Sequence, residues 1–131
     1  MTKEVKNIDD QVVIITYGRG VYWSLEASKS FAGKIEILDL RTLSPLDEDQ
    51  ILKSVKKHGK SLIVTEEPSS ASFSLGIAGF IQENCFEFLD APVKIIGSEN
   101  TPAIPLNENL EFTYLPNAYK VQKAISTLLD Y

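Results

Sequence analysis

Two adjacent glutamates, Glu66 and Glu67, follow a short apolar segment that ends at Val64. Carboxylates at the end of a buried strand can act as general acids or bases, or can hold loops together through ion pairs. Because successive strand residues point to opposite faces, we expect one carboxylate to face the crevice beyond the sheet and the other to face solvent. Arg19 and Arg41 follow the ends of neighbouring predicted strands and could pair with the crevice carboxylate. A catalytic and a structural interpretation both stay open on these residues alone.

A second candidate is the glycine pair Gly18 and Gly20, which lies between a predicted strand and a predicted helix. Such a turn, with an acid downstream such as Asp39, is typical of dinucleotide-binding sites. Trp23 occupies the position of the third glycine in that fingerprint, where an indole would prevent close packing of the helix against the strand. We therefore interpret the glycines as residues of a tight turn. A free-standing nucleotide-binding module that uses Gly18, Gly20 and Asp39 is the alternative.

The remaining reactive side chains give no recognisable site. The single cysteine, Cys85, cannot form an internal disulfide, and with one histidine, His58, the chain has no Cys/His metal cage. Cys85 lies on an apolar helical stripe, so we interpret it as an inert core residue. The acids at 47–49 fit the cap and first turn of a helix better than a metal site. Among these side chains we expect no catalytic residue, no cofactor-binding residue and no metal ligand.

Length and composition place the chain among single globular domains. It has 131 residues, of which 44% are apolar, and this is enough for one hydrophobic core without disulfides or metal. The formal net charge of −5 argues against nucleic acid as a partner, because nucleic acid requires a basic surface. The apolar runs are too short to span a bilayer, and residues 1–6 carry no apolar signal segment. A reducing cytoplasm is therefore the expected location.

Strand and helix patterns alternate along the chain, which predicts a mostly parallel sheet with helices on both faces. Four segments predict strands, at 12–17, 35–40, 62–64 and 93–96, and the first of them is rich in β-branched residues. Residues 3–5 could add an edge strand. Asp47, with Gln50 three residues later, predicts a capping box at the start of the second helix. The apolar stripes predicted for the last three helices are Ile51, Val55 and His58; Phe73, Ile77, Ile81, Cys85 and Phe88; and Val121, Ile125 and Leu128.

Residues 37–47 form the most distinctive segment, with a strand end, a polar turn that contains Pro45 and a helix start at Asp47. This segment resembles a signature in the C-terminal domain of thiamine diphosphate-dependent 2-oxo acid dehydrogenases, in their beta subunit, and more distantly one of transketolases. The chain departs from the family pattern at two positions: Thr65 stands where members of the family commonly have histidine, and Gly76 stands where they have glutamate. The resemblance runs in order along nearly the whole chain, through residues 16–18, 52–57, 66, 81–83, 88–93, 101–102 and 115–117.

The resemblance implies a three-layer α/β fold of the transketolase C-terminal type, with a mostly parallel five-stranded sheet and one antiparallel edge strand. In this family two other domains hold thiamine diphosphate and magnesium, and nothing here resembles the Gly-Asp-Gly diphosphate motif. Residues 1–131 are therefore expected to be one domain excised from a longer chain and inactive alone. The parent enzyme would decarboxylate a 2-oxo acid and transfer the acyl group to a lipoyl carrier; a transketolase-type domain is an alternative. The candidates for an active-site rim are Gly18, Arg19, Arg41, Glu66 and Glu67.

The resemblance also implies two partner-binding positions. Dehydrogenases of this family dock on the peripheral subunit-binding domain of the acyltransferase, partly through an acid before an Ala-Pro pair and through the C-terminal carboxylate. Here those positions are Asp90 and Tyr131. Family members also form dimers partly through this domain, so we expect a homodimer in the parent and no nucleic acid or membrane partner. A loop over 97–116 carries apolar residues that would suit such an interface, namely Ile104, Leu106, Leu110, Phe112, Tyr114 and Leu115.

Overall fold

The structure is a computed structural model that describes residues 2–3, 12–31, 33–41, 46–68, 73–98 and 116–131. Its strands are β1 (Thr2–Lys3), β2 (Val12–Thr16), β3 (Ile35–Asp39), β4 (Ser61–Pro68) and β5 (Lys94–Ser98). Its helices are α1 (Gly20–Ser28), α2 (Glu48–His58), α3 (Phe73–Cys85) and α4 (Ala118–Leu129), with short 3-10 helices at Lys29–Phe31 and Phe86–Phe88. The apolar loop residues predicted for self-association lie outside the described residues.

Four parallel strands form the middle of the fold, in the order β3-β2-β4-β5. Strand β2 is fully buried, as expected for a parallel strand whose two faces are both covered. Its Ile14 lies between Ile37 of β3 and Leu62 of β4. At the outer edge of β3, β1 pairs antiparallel, with Thr2 opposite Leu38. The predicted mostly parallel sheet is confirmed. The described antiparallel pairing covers Thr2 and Lys3 and shares Lys3 with the predicted edge segment, whose residues 4 and 5 lie outside the described residues.

Helices cover both faces of the sheet and enclose two hydrophobic clusters. Helices α1 and α4 pack on one face, where Ala27, Val121 and Ile125 contact the side chains of β2 and β4 that point to that face. Helices α2 and α3 pack on the other face, where Ile51 and Ile81 belong to the second cluster. These are the three layers predicted from the alternation of strands and helices. None of the described helices is both long and apolar enough to cross a membrane.

Helix α2 begins and ends where the sequence predicts. The Asp47 side chain accepts a hydrogen bond from the Gln50 backbone N–H at 3.3 Å, which is one half of the predicted capping box. The Gln50 side-chain amide donates to Ser54 Oγ at 3.0 Å, and the reciprocal bond to the Asp47 backbone is not found among the described residues. Gly59 ends the helix in the left-handed conformation, with φ of 74°, and donates its N–H to the Val55 carbonyl at 2.8 Å.

The stripe predicted for α3 is correct in its middle and wrong at its ends. Ile77, Ile81 and Cys85 are buried, but Phe73 is 40% exposed and Phe88 is 47% exposed. Phe88 leaves the stripe because α3 ends at Cys85 and the chain continues as a 3-10 turn, which changes the residue spacing. Phe73 is the first residue of α3 and packs edge-on against the ring of Tyr17, with the ring centroids 6.4 Å apart.

Candidate functional site

The carboxyl ends of β2, β3 and β4 meet at one edge of the sheet. Glu66 and Glu67 lie near the end of β4, Gly18 and Arg19 follow β2, and Arg41 follows β3. We call these five residues the rim. Ligands of open α/β sheets bind in the crevice beyond the carboxyl ends of the strands, so the fold brings the predicted candidates to the appropriate edge.

The two rim arginines are engaged in ion pairs. Arg19 Nη1 lies 3.7 Å from Glu66 Oε2, so an arginine pairs with the more exposed of the two glutamates. The pairing was predicted for the carboxylate that faces the crevice. The same guanidinium lies over the ring of Trp23, 5.3 Å from its centroid. Arg41 Nε lies 3.7 Å from Asp39 Oδ2. Both arginine side chains are more than half exposed, so these pairs orient the loops and add little stability.

Glu67 points to a different set of partners from Glu66. Tyr17 Oη donates a hydrogen bond to Glu67 Oε1 at 2.5 Å, and Thr65 Oγ1 donates to Tyr17 Oη at 3.0 Å. Burial and the hydrogen bond to Glu67 raise the pKa of Tyr17 to about 12, so the phenol stays protonated and remains a donor. The network joins the ends of β2 and β4. Residue pattern alone did not predict it, because Tyr17 and Glu67 are far apart in sequence and alternation gives the face of a side chain, not its partner.

Gly20 allows the start of α1 to lie directly against the sheet. A Cβ atom at this position would meet Thr16 Oγ1 and would lie 2.8 Å from the Val64 carbonyl oxygen. These same two groups are joined by a buried hydrogen bond, in which Thr16 Oγ1 donates to the Val64 carbonyl at 2.9 Å. Packing therefore accounts for the second glycine of the pair, and Asp39, the acid of the nucleotide-binding alternative, is paired with Arg41.

Gly20→Ala should lower the free energy of unfolding by about 1–3 kcal/mol, the usual cost of forcing extra carbon into a packed site. Gly79→Ala is the matched control, because a Cβ at this exposed position of α3 has no heavy atom within 4 Å. Removing a glycine from a helix interior should stabilise the control by about 0.5–1 kcal/mol. Urea denaturation of the two variants measures both effects, and equal stability of Gly20→Ala and wild type would contradict the close packing.

Asp90 lies at the opposite end of the sheet from the rim. Its backbone N–H donates to the Gly59 carbonyl at 2.8 Å, and Gly59 connects the end of α2 to the start of β4. The Asp90 carboxylate packs against Gly59, where a Cβ atom would collide with it and would lie 3.0 Å from the Phe88 carbonyl oxygen. The glycine thus permits both the left-handed turn and the close approach of the acid. Asp90 is exposed, and its backbone position is fixed.

The second partner-binding candidate, Tyr131, follows the end of α4. Its side chain is 61% exposed, and its backbone N–H donates to the Leu128 carbonyl at 3.2 Å. Leu128 is fully buried in the same hydrophobic cluster as Ala91, the residue after Asp90. Both candidates are therefore exposed residues next to segments anchored in the same core.

A buried pair of ionisable side chains near this end of the sheet was not predicted from the sequence. His58 Nε2, at the end of α2, lies 3.5 Å from Glu36 Oε1 in β3, and both side chains are buried. Two signals point to it: Glu36 interrupts an apolar strand, and His58 lies on the buried stripe of its helix. A buried carboxylate requires a partner, and His58 is that partner. The pair is inaccessible to substrate, so it supports the fold.

The described residues contain no group of three or more side chains suited to hold a metal ion. Cys85 is fully buried, and burial raises the pKa of its thiol, as expected for an inert core cysteine. The rim offers two arginines already paired with carboxylates and no cluster of metal-binding acids. These donors do not fit a magnesium diphosphate group, so we derive no step through thiamine diphosphate from this chain.

The fold matches that of solved structures. A split-gene transketolase, solved as an inactive beta4 tetramer, superimposes with a TM-score of 0.78 at 20% sequence identity; the match covers 99% of this chain and 42% of that chain. At this level of identity the similarity establishes the fold alone.

Curated relatives and a family model give the relationship. The beta subunit of 2-oxoisovalerate dehydrogenase from Bacillus subtilis (strain 168) is 34% identical over 131 residues, covering 98% of this chain and 40% of the relative. The beta subunit of the pyruvate dehydrogenase E1 component from Rickettsia bellii (strain RML369-C) is 36% identical over 119 residues, covering 88% of this chain and 36% of the relative. The chain thus spans about two fifths of the length of these 2-oxo acid dehydrogenase subunits. The family model for the transketolase C-terminal domain matches residues 2–121, and the chain belongs to that family.

Proposed function

We propose that this chain is the C-terminal scaffold, dimerisation and partner-docking domain of a cytoplasmic 2-oxo acid dehydrogenase. The observation that carries the docking role is the placement of Asp90, an exposed carboxylate whose backbone is tied to Gly59 and whose side chain packs on that glycine. A carboxylate held in this way can accept charge-assisted hydrogen bonds from an arginine of a partner without first being ordered. The relatives named as dehydrogenase beta subunits support this assignment.

In this proposal the parent enzyme decarboxylates a 2-oxo acid and passes the acyl group to a lipoyl carrier. The docking partner is the peripheral subunit-binding domain of the acyltransferase, which contacts Asp90 and Tyr131. The domain's net charge of −5 favours encounter with a basic partner. Thiamine diphosphate and magnesium are held by other domains of the parent, which acts as a homodimer.

The rim is proposed to face the active site of the parent enzyme. Arg19 and Glu66 form one ion pair there, and Tyr17 holds Glu67 through a short hydrogen bond. Both glutamates are engaged within the chain, which supports a structural role: the rim residues fix the loops that close one side of the parent's active site and perform no proton transfer themselves.

The isolated chain should bind neither thiamine diphosphate with magnesium nor a nucleotide. Calorimetric titration tests the first ligand, and thermal shift with NAD and ATP tests the nucleotide-binding alternative. A ligand present at 100 times its dissociation constant would stabilise the fold by about 2.7 kcal/mol, which is an easily measured shift. Micromolar binding of thiamine diphosphate would refute the scaffold role, and stabilisation by NAD or ATP would favour the alternative site at Gly18, Gly20 and Asp39.

A further inference from the structure

The buried pair of Glu36 and His58 carries polar atoms that the described part of the chain leaves without partners. Glu36 lies in β3 and His58 is the last residue of α2, and both side chains are buried. Within the described ranges, Glu36 Oε2 and both ring nitrogens of His58 have no hydrogen-bond partner. Buried polar atoms in folded proteins are almost always hydrogen-bonded to protein or to ordered water. These three atoms therefore require an explanation.

The surroundings keep bulk water away from this pair. Val13 of β2 stands opposite Glu36 in the sheet and is fully buried. Because side chains alternate between the two faces of a strand, paired residues of neighbouring parallel strands point to the same face, here the face that α2 and α3 cover. Val55, one turn before His58 on α2, is fully buried in the cluster on that face. The polar atoms thus lie in an apolar layer and have to be satisfied locally.

The two side chains are too far apart for a good direct hydrogen bond and close enough for a bridge. His58 Nε2 lies 3.5 Å from Glu36 Oε1, whereas an N–H···O hydrogen bond is typically about 2.9 Å long. The second oxygen, Oε2, is joined to Oε1 through one carbon atom, so it lies within about two hydrogen-bond lengths of Nε2. One small polar molecule beside the pair can therefore bond to both atoms.

We propose that the pair binds one ordered water molecule, which bridges Glu36 Oε2 and His58 Nε2 in the interior of the domain. A carboxylate oxygen accepts hydrogen bonds, whereas an imidazole nitrogen donates or accepts according to its protonation. Water suits either form of the ring because it both donates and accepts, and buried waters make two to about four such bonds. A metal ion fits less well, since the described residues contain no group of three or more side chains suited to hold one.

The bridge connects the end of α2 to β3 and is independent of the proposed docking function. A high-resolution crystal structure of the chain tests it directly, and we expect a solvent peak within hydrogen-bond distance of both Glu36 Oε2 and His58 Nε2. Ser24 Oγ is the internal control, because it is fully buried and also lacks a hydrogen-bond partner among the residues that the structure describes. A single hydroxyl offers a water too few partners, so no peak is expected there.

Three crystallographic results would overturn the inference: no solvent peak at the pair, a direct hydrogen bond between the two side chains, or an atom of the chain itself in the bridging position. The first would leave the polar atoms unsatisfied, and the other two would satisfy them without water.

Nuclear magnetic resonance tests the same water in solution. A long-lived buried water transfers magnetisation to nearby protons, so we expect a cross-peak between water and the carbon-bound ring protons of His58, which do not exchange with solvent. Glu36→Leu should lose this cross-peak because it leaves the water one partner, whereas Glu36→Gln, whose amide also bonds to water, should keep it. A cross-peak that is missing in the wild type, or unchanged in Glu36→Leu, would contradict the bridge. If Glu36→Leu does not fold, the wild-type crystal structure still decides.

Discussion

Replacing His58 with leucine should lower the free energy of unfolding by about 3–5 kcal/mol at pH 7, because it removes the partner of the buried Glu36 carboxylate and leaves that group uncompensated. In the wild-type chain, His58 Nε2 lies 3.5 Å from Glu36 Oε1, and the two side chains are 0% and 2% exposed. Among the described residues, neither the second carboxylate oxygen of Glu36 nor either ring nitrogen of His58 has a hydrogen-bond partner, so the two side chains meet at ion-pair distance without a well-formed hydrogen bond. The imidazole is the main group that offsets the free-energy cost of burying this carboxylate. Urea denaturation followed by circular dichroism measures the change.

The same variant should reverse the pH dependence that Glu36 contributes. Burial acts to raise the pKa of this carboxyl, but the His58 ring, the Ser54 hydroxyl and the charge of Lys57 together lower it below the usual value of a glutamate. A group with a lowered folded pKa contributes stability above its unfolded pKa, about 4.3 for glutamate. That contribution is lost as the pH falls through the folded pKa. In His58→Leu, burial dominates and the pKa of Glu36 rises, so this variant should become more stable as the pH falls from 7 towards 4.

The double variant Glu36→Leu with His58→Leu is the matched control. Replacing a whole buried pair with apolar residues is often neutral or stabilising by about 1–4 kcal/mol. The double variant should therefore recover the stability that His58→Leu loses, and it should lack the pH dependence contributed by Glu36. If the single variant stays within about 1 kcal/mol of wild type at pH 7, His58 does not compensate Glu36, and the buried pair has no stabilising role.

The layers of the fold could be predicted because they depend on local repetition. Val12 to Ile15 form a β-branched run without polar interruption, and such a run is compatible with a strand covered on both faces. Val121, Ile125 and Leu128 recur at helical spacing, and all three are fully buried against the sheet. The cap residues Asp47 and Gly59 act within one turn of the chain, so their roles also follow from nearby residues.

The partners of polar side chains could not be predicted in the same way. Tyr17 meets Glu67 because β2 and β4 are neighbours in the sheet, and strand order is a property of the whole fold. Glu36 of β3 meets His58 because α2 packs on the face of the sheet to which Glu36 points, and the last residue of α2 lies level with Glu36. The sequence indicated that these residues were buried or near a strand end, but the pairing required the tertiary arrangement. At the rim, the predicted strand ends identified the edge, and the geometry then showed that Glu66 and Glu67 have separate partners.

Asp90→Ala should weaken binding of the acyltransferase subunit-binding domain at least tenfold. Loss of one member of a hydrogen-bonded charge pair at an interface costs about 2–5 kcal/mol, and about 1.4 kcal/mol corresponds to one decade in the dissociation constant. The melting temperature should not change, because Asp90 is exposed and its hydrogen bond to Gly59 uses the backbone N–H, which alanine retains. Calorimetric titration of the wild-type and variant chains with the authentic partner domain measures the difference.

Asp49→Ala is the control that separates a local contact from a general effect of charge. It removes the same negative charge from an exposed position in the first turn of α2, whereas Asp90 lies beside Gly59 at the other end of that helix. If the net charge of −5 alone attracts the basic partner, both variants should slow association by a similar small factor. If Asp90 pairs directly with an arginine, its loss should mainly speed dissociation, and Asp49→Ala should leave dissociation unchanged. Equal affinity of Asp90→Ala and wild type would remove Asp90 from the docking surface.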